Sequence, residues 1–222
     1  MENQLSEKES LELIGKMINS AKNNLQKGTG KIFLLWGYLT ASVSMLNLLL
    51  LLLLPERINY HSYWVWCAMP FGAICHMYLI RKISAVGTVK TYIEQVLSYV
   101  WLAFSISVFT LVVSMLLATI PGSRGESGVF DFLNWIHWIF MIPYMLIIYG
   151  FALFVSGKAY RFKPLVIGSY VCWAMTILVF LLYDNHHFME LQLVALIISV
   201  IAGYIVPGHL LTKKENGNVQ RS

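Results

Sequence analysis

Long apolar runs alternate with short polar segments along most of the chain. Six runs are long enough to cross a bilayer, at residues 32–54, 63–80, 96–120, 132–155, 164–183 and 191–211. A helix needs about 20 apolar residues to span a hydrocarbon core of about 30 Å. The runs are continuous and lack the two-residue alternation of β-barrel strands. The pattern therefore predicts an all-α, polytopic membrane protein with six transmembrane helices arranged as three helical hairpins.

Lysine and arginine are distributed unevenly among the seven polar segments that flank and separate these runs. Their numbers in chain order are 5, 1, 3, 1, 3, 0 and 3, so the odd-numbered segments hold 14 of the 16 basic residues. Basic loops are retained in the cytoplasm, which predicts that both termini are cytoplasmic. The net charge of +5 is then explained by cations that flank helices beside anionic headgroups, and nucleic-acid binding is not expected.

The segment before the first run has a helical periodicity of its own. Apolar residues recur at steps of three and four, at Leu11, Ile14, Ile18, Ala21 and Leu25. Such steps draw one apolar stripe along a helix. The helix could lie flat on the inner leaflet with its lysines toward the headgroups, or pair with a partner helix through the stripe. The candidate contact residues for either lipid or partner are Leu11, Ile14, Ile18 and Leu25.

Three parts of the chain follow from these patterns. Residues 1–31 are expected to form a cytoplasmic amphipathic helix and linker, and residues 32–211 the membrane domain. Residues 212–222 form a polar cytoplasmic tail. The loops between runs are short, so we expect any function to lie in the bundle, at its rims or in the N-terminal helix.

None of the six runs contains Asp, Glu, Lys or Arg. Proton relays, ion-coupled carriers and voltage sensors depend on ionisable groups inside the membrane. Their absence from the runs argues against a pump or a proton-coupled antiporter. The three cysteines occur singly within runs, without a C-x-x-C pair, which is typical of buried free thiols.

Asparagine and histidine are the remaining polar candidates within the runs. Asn47 is the most polar residue deep in the first run and could bond to a neighbouring helix or line a pore. His76 and His209 lie near the inner ends of the second and sixth runs, where they could be the two axial ligands of a haem. His137 lies near the outer end of the fourth run. The histidines of the last external loop lack the i, i+4 spacing that places two metal ligands on one helix face, so we expect no bound metal or cofactor.

The familiar catalytic motifs are missing from the sequence. Neither G-x-S-x-G nor H-E-x-x-H occurs. Gly28-Thr29-Gly30-Lys31 lacks the glycine spacing of a phosphate-binding loop and follows a helical pattern where that loop follows a strand. A non-enzymatic protein is expected.

The start of the chain carries a recognisable combination of residues. Lys16-Met17-Ile18-Asn19 is followed by Ala21-Lys22, and Leu35-Trp36-Gly37-Tyr38 lies in the first run. In these residues the chain resembles an uncharacterised family of small bacterial multi-span inner-membrane proteins, which begin with a similar helix and first span. The resemblance implies a location in the bacterial inner membrane. It carries over no activity and no functional residue.

Three functions remain compatible with the sequence. The leading hypothesis is a non-enzymatic sensory or accessory module that acts through its N-terminal amphipathic helix, in contact with the lipid bilayer or with a cytoplasmic or membrane protein partner. A facilitator or channel for a small neutral or apolar solute is the second, and a cavity between the second, fourth and sixth spans would favour it. A haem- or metal-binding membrane protein is the third.

The charge distribution makes a direct prediction about sidedness. Tags placed in the connections at 81–95 and 156–163 should react only with reagents on the cytoplasmic side, because these connections carry three basic residues each. Tags at 55–62 and 184–190 should react only from outside. Accessibility mapping in intact cells measures this, and external labelling of the 156–163 connection would contradict the arrangement.

Overall fold

The computed structural model describes residue 15 and residues 28–55, 58–84, 92–119 and 138–219. These residues are almost entirely helical, and six helices are long and apolar enough to cross a membrane. The predicted all-α, six-span fold class is therefore confirmed. The expected N-terminal amphipathic helix, with its four contact residues, lies outside the described residues except for Gly15, which is helical.

The spans are built from seven α-helices, one 3₁₀ helix and one π-helical turn within the described residues. The first span is α1 (Thr29–Leu53), and the second joins a 3₁₀ helix (Asn59–Ala68) to α2 (Met69–Ser84). The next three are α3 (Tyr92–Thr119), α4 (Met141–Ala159) and α5 (Lys163–Leu181). The sixth is a continuous rod of α6 (Phe188–Val200), a π turn (Ile201–Ile205) and α7 (Val206–Val219).

Several helices extend beyond the apolar runs that predicted them. The third span begins four residues before the predicted position 96, and the last helix continues past 211. Backbone hydrogen bonding carries a helix on through the headgroup region, where hydropathy no longer marks it. Two acidic residues, Glu94 and Glu215, are consequently part of the helices, and both are buried.

The helices pack around a centre formed by α1, α4, α5 and the α6–α7 rod. The most extensive pairing joins α4 and α5, while α1 lies along both halves of the rod. The side chains at the centre are fully buried, among them Leu146, Leu153, Leu165, Leu193 and Val200. By contrast, α2 packs mainly on α1 and α3 mainly on α4, so these two helices lie at the periphery.

Glycine allows the closest helix crossing in the bundle. A Cβ placed on Gly168 of α5 would lie 2.6 Å from the Cα of Gly203 and 2.8 Å from the carbonyl oxygen of Ala202, both in the π turn. Small residues let helix backbones approach in membranes, where dispersion contacts and not the hydrophobic effect hold helices together. The crossing fixes the position of α5 against the rod.

Replacing Gly168 by alanine should destabilise the bundle, because the new methyl group meets backbone atoms that cannot rotate away. We expect a loss of about 1–3 kcal/mol, the usual cost of overpacking, measured by thermal or chemical denaturation in detergent. Gly72→Ala is the matched control, since the nearest atom to its Cβ would be the end of the flexible Leu39 side chain. Equal stability of the two variants would contradict the close crossing.

Candidate functional site

The end of the bundle where α1 begins brings a carboxylate onto a helix N-terminus. Glu215 of α7 accepts a hydrogen bond from the backbone N–H of Gly28 at 3.1 Å and another from that of Gly30 at 3.0 Å. Glu215 is 8% exposed, and both bonds are buried. We refer to these two hydrogen bonds as the Glu215 clamp.

The clamp depends on close packing between α1 and α7. A Cβ on Gly30 would lie 2.7 Å from the backbone nitrogen of Thr212 and 2.9 Å from the carbonyl oxygen of Gly208. Gly28, which precedes α1, has a φ of 101°, a left-handed conformation that favours glycine. Both glycines are therefore needed where the chain enters the first span.

The electrostatics of the clamp are favourable. The first N–H groups of a helix have no partner within the helix, and the helix dipole adds partial positive charge there. No local side chain caps α1. Glu215 supplies this cap from 187 residues away in sequence, so it joins the beginning of the membrane domain to its end.

Tyr160, which caps the C-terminus of α4, lies beside the clamp. Its side chain forms a hydrogen bond with Thr29, in the first turn of α1. Burial raises the pKa of Tyr160 to about 12, helped by the charges of Glu94 and Glu215, while the Thr29 bond acts in the opposite direction. Four helices, α1, α3, α4 and α7, thus meet in one polar cluster, which we call the terminal cluster.

The hydropathy and charge patterns did not predict the terminal cluster. Glu94 and Glu215 lie just outside the apolar runs, in polar segments that carry three basic residues each. A signal was nevertheless present: Glu94 is the acidic residue in the first turn of α3, and such residues are stabilised at helix N-termini. The pairing of Glu215 with α1 had no local signal.

Asn47 is fully buried and bonds across helices, as expected. Its side-chain nitrogen donates to the carbonyl oxygen of Ser62 in the 3₁₀ helix at 3.3 Å. Asn47 Oδ1 and Ser62 Oγ are buried without a protein partner. Buried polar atoms of this kind are commonly satisfied by an ordered water, so the structure gives Asn47 the role of fastening the second span to α1.

His76 and His209 each bond to an aromatic side chain of α1. Trp36 Nε1 donates to His76 Nδ1 at 3.0 Å, and Tyr38 Oη lies 2.7 Å from His209 Nε2. Two positions on a helix that are two residues apart point about 200° from each other. His76 and His209 therefore lie on opposite sides of α1, and this geometry does not bring them onto one haem.

The remaining metal candidates give no cluster. Within the ranges that the structure describes, no group of three or more His, Cys, Asp or Glu residues could hold a metal ion. His187 lies 3.5 Å from Glu190 at the opposite end of the bundle from the clamp. His137 lies outside the described residues.

Aromatic rings fill the centre of the bundle. Tyr149 of α4 stacks on Tyr204 of the π turn with ring centroids 4.5 Å apart and planes 10° apart. Phe33 of α1 contacts Tyr204 at 5.1 Å, and Trp101 of α3 packs edge-on against both Phe33 and Tyr204. The space between the fourth and sixth spans is therefore occupied by protein. A groove of about 470 Å³ between α1 and the 3₁₀ helix opens instead on the periphery of the bundle.

The raised pKa of Tyr160 gives the free energy of unfolding a specific pH dependence. The folded protein favours the neutral phenol. The stabilisation of the folded state that results is complete below pH 10 and is lost as the pH rises from about 10 through about 12. Tyr160→Phe should lose less stability over that pH range than the wild type, as measured by denaturation at each pH. Tyr92→Phe, which removes an exposed tyrosine, is the control. Identical pH profiles for the wild type and Tyr160→Phe would contradict the burial of this phenol.

Comparison with known proteins adds no assignment. No protein-family model matches the chain, and no curated protein or solved structure is significantly similar to it.

Proposed function

We propose that the protein is a non-enzymatic sensory or accessory module of the bacterial inner membrane, with both termini in the cytoplasm. The segment before Gly28 contacts the lipid surface or a protein partner. The Glu215 clamp couples that segment to the last helix of the bundle.

The Glu215 clamp is the observation that carries this proposal. The N-terminal segment enters the membrane domain at Gly28, and the carboxylate of Glu215 holds the backbone at that point. Hydrogen bonds to charged groups contribute about 1.5–3 kcal/mol each. A force on the N-terminal segment therefore acts first on the contact between α1 and α7.

The packing around the clamp supports transmission into the bundle. Tyr160 and Glu94 connect the same point to α3 and α4. On the rod, the π turn lies directly before α7 and carries Tyr204, which stacks in the centre. π turns occur often at functional positions in helices. A shift of α7 would thus reach the aromatic centre through one continuous helix.

The filled interior favours this function over a facilitator. A solute path would need space between the second, fourth and sixth spans. Buried leucines and the stacked pair Tyr149 and Tyr204 occupy the region between the fourth and sixth spans, and the second span packs mainly on α1.

Replacing Glu215 by glutamine tests the coupling. Glutamine keeps one acceptor oxygen, but its NH₂ group cannot accept the second backbone N–H. Hydrogen exchange of the Gly28 and Gly30 amides should accelerate about tenfold or more, as measured by exchange and mass spectrometry on the full chain. Lys214→Gln, which changes the charge of an exposed neighbour, should leave these amides unchanged.

A second variant separates coupling from contact. Deletion of residues 1–27 should abolish partner or membrane-surface contacts seen by cross-linking in native membranes, while the thermal stability of the bundle stays close to that of the full chain. Glu215→Gln should retain those contacts and lose only amide protection. The proposal is wrong if the deletion leaves all cross-links unchanged.

A further inference from the structure

The turn between α4 and α5 presents three cations at the end of two spans. Lys158, Arg161 and Lys163 are exposed, and α4 ends at Ala159 while α5 begins at Lys163. The turn therefore lies where the hydrocarbon region gives way to headgroups. Within the described ranges none of the three cations forms an ion pair with a carboxylate.

The backbone of this turn places an arginine where glycine is the usual residue. The N–H of Phe162 donates to the carbonyl of Gly157 at 2.8 Å, and the N–H of Arg161 to that of Lys158 at 3.2 Å. This is the hydrogen-bond pattern of a Schellman motif, whose left-handed position is most often glycine. Arg161 occupies that position with a φ of 50°, the only positive φ of a non-glycine residue in the described ranges.

Buried contacts hold the turn in place. Tyr160 points inward to the terminal cluster and bonds to Thr29, whereas Lys158 and Arg161 are exposed. The ammonium of Lys158 lies 5.4 Å above the ring of Phe154, a cation–π contact that restrains this side chain. Within residues 158–164 the three cations are exposed, whereas the residues between them are half-buried.

An apolar aromatic surface continues from the turn toward the membrane centre. Phe154 of α4 packs against Tyr170 and Trp173 of α5, with ring centroids 6.1 Å and 5.7 Å apart. Phe151 and Ile167 are about 60% exposed on the same two helices. Three cations above a partly exposed aromatic surface match a molecule with an anionic head and an apolar tail. Free phosphate would use only the cations.

We propose that the α4–α5 turn binds the phosphate of an anionic phospholipid. Lys158, Arg161 and Lys163 contact the phosphate, and the acyl chains lie along the aromatic surface of α4 and α5. The site is independent of the Glu215 clamp and goes beyond the proposed function, because it defines a lipid that is bound specifically at one turn. The strained backbone at Arg161 is retained because the position needs a cation.

The test measures retained lipid by native mass spectrometry of the full chain in neutral detergent, with equal amounts of phosphatidylglycerol and phosphatidylcholine. The wild type should retain phosphatidylglycerol preferentially. Arg161→Gly should lower that preference roughly fivefold, and Lys158→Gln/Lys163→Gln roughly 30-fold, since each cation near a membrane surface is worth about 1 kcal/mol. The control Lys213→Gln/Lys214→Gln removes two exposed cations from α7 at the same end of the bundle and should change the preference less than about twofold.

Arg161→Gly separates binding from folding. Glycine is favoured at this backbone conformation, so the variant should be at least as heat-stable as the wild type in lipid-free detergent while it loses lipid preference. An equal loss of preference in the α7 control would show a general charge effect and overturn the site. Absence of any preference in the wild type would also overturn it. Full displacement of the lipid by millimolar glycerol phosphate would overturn the assignment to a lipid and leave a phosphate site.

Discussion

The close antiparallel contact between α1 and the α6–α7 rod is the constraint on which the rest of the structure depends. Gly30, Gly37 and Gly208 lie along this contact, and a Cβ on any of them would press on the opposite helix. Lipid offers no hydrophobic drive to bring helices together, so such close backbone approach supplies the contacts that hold them. The contact sets the register that places Glu215 at the start of α1 and Tyr204 beside Phe33.

The buried carboxylates Glu94 and Glu215 lie at one end of this bundle, while aromatic rings occupy its centre. A carboxylate is costly in hydrocarbon but is stabilised at the membrane boundary by helix N–H groups and nearby hydroxyls. Glu94, Glu215 and Tyr160 follow this rule. A centre packed with Tyr149 and Tyr204 is better suited to passing a movement from one helix to the next than to conducting a solute. The proposed function is therefore coupling between the N-terminal segment and the bundle. The α4–α5 turn shows a similar division. Tyr160 points inward to the terminal cluster, and Lys158, Arg161 and Lys163 are exposed.

The positions of His76 and His209 depend on a helix that the sequence pattern does not place between them. His76 and His209 lie at similar depth in the sequence pattern, which made a shared ligand reasonable. The helix between them was not visible in that pattern, and Trp36 and Tyr38 engage the two histidines from opposite faces of α1. For Asn47 the interhelical bond was foreseeable, because a buried amide must find a partner, although its partner Ser62 was not.

By itself the sequence determined the number of spans, their helical nature and the alternation of basic segments, because hydropathy and charge act locally along the chain. The apolar runs marked where the chain meets hydrocarbon, but not where α3 and α7 end. Only the tertiary structure decided which helices touch, that Glu215 caps α1, and that Arg161 adopts a left-handed turn. These features join residues that are distant in sequence or depend on packed neighbours. The sequence does not mark which side of a helix packs on protein, because the lipid-facing and protein-facing sides of an apolar helix have nearly the same composition.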